Sequence, residues 1–107
     1  MDTIKIGEIE RPIKFGSWVY KEFARIRDIE IDEVLNNLNK DNSNFMLLAY
    51  CGFLYGAKLE RLDIDFIEED VWDWFDSDKT VSEQIVKAFA KTQPQSKNVK
   101  APEKGQP

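Results

Sequence analysis

Histidine is missing from this chain of 107 residues, and cysteine occurs once, as Cys51. Together these facts remove every zinc site built on cysteine and histidine, and every triad that uses an imidazole base. A lone cysteine forms no disulfide within the chain, which suits a reducing cytoplasm. Set in an apolar run, its thiol reads as a small buried hydrophobe rather than a reactive group. Neither GxGxxG nor GxxxxGKS/T occurs, so no phosphate cradle is announced and no cofactor is expected. The start, Met1-Asp2-Thr3-Ile4-Lys5, lacks the apolar run of a secretion signal. Proline is scarce before residue 93, where Pro12 stands alone. Long apolar runs are also scarce, and the one exception organises the chain.

That exception is residues 45–57, FMLLAYCGFLYGA, with no charge in a protein that is 33% charged. As a helix it spans about 20 Å, whereas roughly 17–25 apolar residues are needed to cross a bilayer. A helix apolar all round must be covered all round. Burying its large side chains is worth on the order of 12–24 kcal/mol, and ordering the run costs about 20 kcal/mol. The rest of the chain must supply the cover.

The length allows one domain with one modest core. The net charge of -5, with no cluster of lysine or arginine, argues against a nucleic-acid partner. The expectation is a soluble cytosolic α+β domain, mostly α-helical. A β-hairpin over residues 3–15 would pack on about five short helices, from about 17 to 92, around the apolar one. Residues 1–92 form the single folded domain and residues 93–107 a disordered tail. That tail holds three prolines and one large apolar residue, too little to offset the entropy of ordering.

Within the hairpin, Ile4 and Ile6 alternate with polar residues and Gly7-Glu8 offers the turn. Ile9, Ile13 and Phe15 share one parity in the return strand. Pro12 cannot donate to a ladder, so it lies on an edge or faces away from its partner. Ser17 is the expected cap of a helix with Val19, Phe23 and Ile26 inward. The next amphipathic piece carries Ile31, Val34, Leu35 and Leu38. Asn42 or Ser43 can cap the central helix. Asp65-Phe66-Ile67-Glu68 has capping-box spacing and opens an acidic helix with Ile67, Val71, Trp74 and Phe75 on one face. Thr80-Val81-Ser82-Glu83 is a second box, opening a helix with Val81, Ile85, Ala88 and Phe89 inward.

The acidic residues from Asp63 to Asp78 do not follow the EF-hand order, and a solvated helix face explains them better than a metal site. Nothing singles out a pair of carboxylates for acid/base work. No catalytic, cofactor-binding or metal-binding residue is assigned, and the expectation is a protein that is not an enzyme.

Several words, in their order, resemble the tail assembly chaperones of long-tailed (siphovirus-type) bacteriophages. They are Ile4-Lys5-Ile6-Gly7 followed by Ile13-Lys14-Phe15, then Ile31-Asp32-Glu33-Val34-Leu35. The run Leu47-Leu48-Ala49-Tyr50-Cys51-Gly52-Phe53-Leu54 is similar to that family's central helix, and residues 64–74 to its acidic helix start. The resemblance covers about residues 3–90. Two places depart from the pattern: Asp28-Ile29-Glu30 replaces the glycine usual after the first helix, and Asp65 the usual threonine of the acidic cap.

The resemblance implies a non-catalytic protein of the host bacterial cytoplasm, absent from the mature virion. Its partner would be the tape-measure protein, kept soluble until tail-tube protein polymerises around it. A frameshifted longer form and a homo-oligomer are further partners of this kind, with no membrane involved. A second reading is an acidic regulatory or inhibitory protein that binds a host nucleic-acid-handling protein. Its motive is the balance of -7 in residues 1–92.

For partner binding, Trp72 falls roughly 140° from Ile67 on a helical wheel, off the core face, and joins Tyr55 as a contact candidate. Leu47, Tyr50, Cys51 and Leu54 form a bulky ridge on the central helix, the expected seat of hairpin and helices. Opposite, Ala49, Gly52 and Gly56 lie within roughly 60° of one another, a smooth groove for close packing or for another backbone.

Overall fold

Alternating apolar residues and a glycine turn make the first element. In the computed structural model, which describes residues 1–93, β1 (Asp2–Ile6) pairs antiparallel with β2 (Ile9–Ile13) in a two-stranded sheet. Gly7 takes φ +63° at the first loop position, where a two-residue hairpin loop favours glycine. Because Ile6 and Ile9 close that loop as a hydrogen-bonded pair, Thr3 and Pro12 form a non-hydrogen-bonded one. The missing Pro12 N–H therefore costs the ladder nothing.

Five α-helices follow, as the hairpin-plus-helices architecture expected: α1 (Ser17–Arg27), α2 (Val34–Leu38), α3 (Asn42–Leu59), α4 (Glu68–Ser77) and α5 (Lys79–Ala90). A 3₁₀ turn over Ile31–Glu33 leads into α2. The helix α3 is the apolar run, extended at both ends, and hairpin, α1, α2 and α4 pack around it. Leu47, Leu48, Ala49, Cys51 and Phe53 are buried there with Ile4, Ile13, Val19, Phe23, Val71 and Ile85. Phe45 meets Phe75 and Phe89 edge-on at 6.1 and 5.7 Å, which ties α3 to the last two helices. The anticipated disordered tail lies outside the described residues, apart from Gln93.

The helix starts differ from expectation by a residue or more, two of them for the same reason. Gly16, not Ser17, precedes α1, and no side chain caps it. Asp41 caps α3 in place of Asn42 or Ser43, its carboxylate accepting from the Ser43 N–H at 2.8 Å. Asp78 caps α5 in place of Thr80, accepting from the Thr80 N–H at 2.9 Å. Ile67 precedes α4, and the Asp70 carboxylate accepts from its N–H at 3.0 Å, whereas Asp65 pairs elsewhere. Where aspartate lies just upstream of serine or threonine, the ionised acceptor wins the capping position. These backbone bonds hold the Asp41 and Asp78 carboxyls below their ordinary value.

Several apolar positions face outward, against their periodicity. Ile26 is exposed and Ala24 takes its place in the core. Ile31 and Leu35 are exposed while Val34 is buried, because five residues of α2 present one turn to α3 and no more. Ile67 is exposed as well. Asp28 ends α1 at φ 59°, a conformation that favours glycine, with Ile29 N–H reaching back to the Ala24 carbonyl at 3.1 Å. A polar tie missed by the sequence reading joins three helices. Buried Asn44 donates to the Asn37 carbonyl at 2.7 Å and accepts from Arg27 Nε at 2.9 Å.

Candidate functional site

The smooth side of α3 is occupied by the chain's own hairpin. The Lys14 N–H donates to the Gly52 carbonyl at 3.1 Å. A methyl group at Gly52 would lie 2.9 Å from the Phe15 ring. At Gly56 it would run into the Pro12 carbonyl and lie 2.8 Å from the Ile13 nitrogen. Ala49, Gly52 and Gly56 are all buried. Their nomination as partner contacts is therefore corrected: Ala49 lies in the core, and at Gly52 and Gly56 the space belongs to the hairpin, whose chain approaches the helix backbone there with no Cβ between. The hairpin sits on the glycine side of α3 and not on the bulky ridge that was its expected seat.

Tyr55 is half-buried and stacked on Trp18 at 5.3 Å between ring centroids, so much of its face serves the fold. Trp72 is 36% exposed, off the core face of α4 as its wheel position predicts. Trp74, on the opposite side of the helix, packs against the core, and so does Phe75, one step round from Trp72.

The structure adds a site that the sequence reading missed. Where α3 ends, a groove of about 220 Å³ opens between β2 and residues 62–66. Pro12, Phe53, Ala57 and Phe66 give it an apolar lining, and exposed Ile9 and Leu62 stand at its margin. The chain turns away through a left-handed residue at Arg61, φ 57°. The Leu62 N–H then bonds the Ala57 carbonyl at 2.9 Å, and Arg61 N–H the Lys58 carbonyl at 3.2 Å. This closure brings Leu62 over Ala57 at the groove.

Arg11 lies on the groove with its side chain 16% exposed. Its guanidinium carbon is 4.7 Å from the Trp74 ring centroid and 5.3 Å from that of Phe66. Its Nη1 donates to Asp65 at 2.8 Å, and that bond holds the Asp65 carboxyl below the usual range. Its Nε is buried without a hydrogen-bond partner. A signal for this site was available. Arg11 has the same parity as Ile9, Ile13 and Phe15, and a charge in an inward row needs a special environment. Along that row burial fades from Ile13 and Phe15, through Arg11, to Ile9 at 51% exposed, as α3 runs out beside it.

Chemistry-bearing groups are few. Burial pushes the Cys51 thiol up to about 12, so it is neither a ready nucleophile nor a ready ligand. Among the described residues no group of three or more His, Cys, Asp or Glu could hold a metal ion. No described helix is long and apolar enough to cross a membrane. What the surface offers is apolar contact beside carboxylates: Leu59, Leu62, Ile64, Ile67 and Trp72 are exposed along a stretch that also carries Asp63, Asp65, Glu69 and Asp73. No family model matches the chain, and no curated protein and no solved structure matches it.

Proposed function

We propose that this chain is a tail assembly chaperone of the long-tailed phage kind, which binds the tape-measure protein and keeps it soluble while the tail tube assembles. The observation that carries the reading is the exposed apolar series from Leu59 to Trp72, set among carboxylates on an acidic body. Apolar side chains supply adhesion to an apolar client, and like charge on every copy opposes self-aggregation. The ordered words shared with that family support the same reading from the sequence side.

The second reading, an acidic regulatory or inhibitory protein that binds a host nucleic-acid-handling protein by imitating its nucleic acid, is weaker on a specific observation. A mimic of a phosphate backbone needs an unbroken row of free charge. Here Asp65 is paired with Arg11, Asp70 and Asp78 cap helices, and Ile64, Ile67 and Trp72 interrupt the row.

The test is co-expression with a tape-measure protein, the long helical client that the reading expects to be encoded next to this chain. The client is expected in the soluble fraction and in complex with this chain. A client that stays insoluble and does not co-purify would overturn the reading.

A further inference from the structure

We propose that the groove at the end of α3 receives a short extended peptide segment with a large apolar side chain between basic residues, its backbone paired to the open edge of β2 at Glu10. The inference rests on the binding-protein reading in taking the occupant to be a polypeptide.

The edge comes from register. Ile6 and Ile9 close the two-residue loop, so Lys5 and Glu10, like Thr3 and Pro12, form non-hydrogen-bonded pairs. Glu10, Pro12 and Lys14 therefore turn their backbone groups away from β1. Helix α3 covers that outer edge at Lys14 through Gly52 and at Pro12 through Gly56. The strides match: one helical step of four residues advances about 6 Å, and two strand residues about 6.8 Å. The next step is Glu10, and there the helix has ended, with Glu60 as its cap and Arg61 turning the chain aside. Across the groove stand Leu62 and Asp63, and no hydrogen bond joins them to Glu10. One N–H and one C=O of Glu10 are left open to an incoming strand.

Size and charge specify the occupant. About 220 Å³ holds one or two large side chains, whereas a whole helix is about 10 Å wide. Glu10, Asp63 and Asp65 line the groove against one cation, Arg11, which Asp65 already pairs. Glu10 and Asp63 have no ion-pair partner among the described residues, so lysine or arginine beside the apolar anchor is favoured there.

The probe is a doubly capped five-residue peptide, lysine-leucine-lysine-phenylalanine-lysine, titrated into the ¹⁵N-labelled full chain and followed by amide shifts. Saturable shifts are expected at Glu10, Phe53, Leu62, Asp63 and Phe66. Backbone N-methylation of the peptide is expected to weaken binding about fivefold, the loss of about one hydrogen bond. Asp63→Lys, at an exposed position, is expected to weaken it about two- to fivefold. No saturable binding, shifts away from these residues, equal binding of the N-methylated peptide, or equal binding of a version with glutamate for lysine would each overturn the proposal. The two readings fail separately. If the Asp63→Lys chain solubilises the co-expressed client as well as the native one and binds the peptide equally, the groove assignment falls and the chaperone reading stands. Peptide binding in the groove without any effect on the client gives the reverse.

Discussion

Two parts of one helix behave in opposite ways. The C-terminal half of α3 presents Gly52 and Gly56 to the hairpin, against the Phe15 and Ile13 side chains at the first and the β2 backbone at the second, with no room for a methyl group. Within a turn of Gly56 the same helix ends, and beside that end lies a groove lined by Phe53, Ala57 and Phe66. Both regions are apolar and both flank β2. The difference lies in whether the chain continues to cover the strand. A stripe of small residues is a place where something fits closely, and in this fold the hairpin is what fits. Apolar side chains at the end of an element, beyond the last covering turn, are what remains for a partner.

That contrast can be broken most severely at Gly56. Gly56→Ala places its methyl group against the Pro12 carbonyl and the Ile13 nitrogen, which are backbone atoms that cannot swing aside. A loss of about 3 kcal/mol or more is expected in urea unfolding, a large share of the roughly 5–15 kcal/mol that holds a domain folded. An unchanged midpoint would mean that the hairpin does not seal this face.

Gly52→Ala should cost less, because its methyl group meets the Phe15 ring, which can tilt. Overpacking costs about 1–3 kcal/mol, and alanine recovers about 1 kcal/mol of helix propensity, so a net loss of about 0–2 kcal/mol is expected. Measured side by side, the two variants grade the sealed face from backbone contact to side-chain contact.

The sealed helix also answers to pH, through Cys51. Its native thiol is held up to about 12 by burial, while the unfolded thiol ionises near its ordinary value of 9.0. A raised native pKa means that this contribution is intact below pH 9 and is lost as pH rises through that window. The decline approaches about 1.4 kcal/mol per pH unit. Urea titrations at pH 8 and pH 10 should show it, and Cys51→Ala should remove most of it. Tyr50, also raised by burial, adds a decline in the same direction at higher pH.

At the open end, Arg61→Gly is expected to stabilise. Arg61 sits at φ 57°, which costs a residue with a Cβ about 1–2 kcal/mol. Glycine removes that strain and gives back part of the gain in unfolded-state entropy. A net gain of about 0.5–1 kcal/mol is expected, seen as a higher melting temperature. Stability unchanged or lowered would show that Arg61 makes compensating contacts at the groove.

Trp72→Ala sharpens the comparison from the other side. Trp72 is 36% exposed and outside the core cluster, so its loss should cost about 1 kcal/mol, well below the roughly 3–5 kcal/mol of a core tryptophan. Yet it should reduce recovery of soluble client in co-expression. A large fall in melting temperature would instead make it part of the fold.

Much of the architecture was legible because it depends on local period. Alternation announced the hairpin, Gly7 its turn, and the apolar run its central helix. The last helix showed its inward row of Val81, Ile85 and Ala88 directly. Legibility failed where a choice depended on competition or on cover. Asp41 and Asp78 out-competed nearby hydroxyls as caps, a contest among adjacent acceptors that spacing does not decide. Ile31 and Leu35 have core periodicity but lie outward, since periodicity names a face without naming what lies against it. The groove was missed for a related reason. Ile9 and Arg11 belong to an inward row, and only the length of α3 relative to β2 decides where that row emerges.

The sequence by itself determined that the run at residues 45–57 would be a helix in need of cover, because an uncharged apolar segment of that length has no stable life in water or across a bilayer. It also determined that the cover would come from a hairpin and amphipathic helices, since those are the faces the chain possesses. The tertiary structure decided which side of the helix receives which element. Two glycines let the β2 backbone approach within contact distance, and that gain in packing drew the hairpin to the smooth side. Once β2 lay there, the end of α3 left the strand uncovered at Glu10, a consequence of two lengths that no local pattern records.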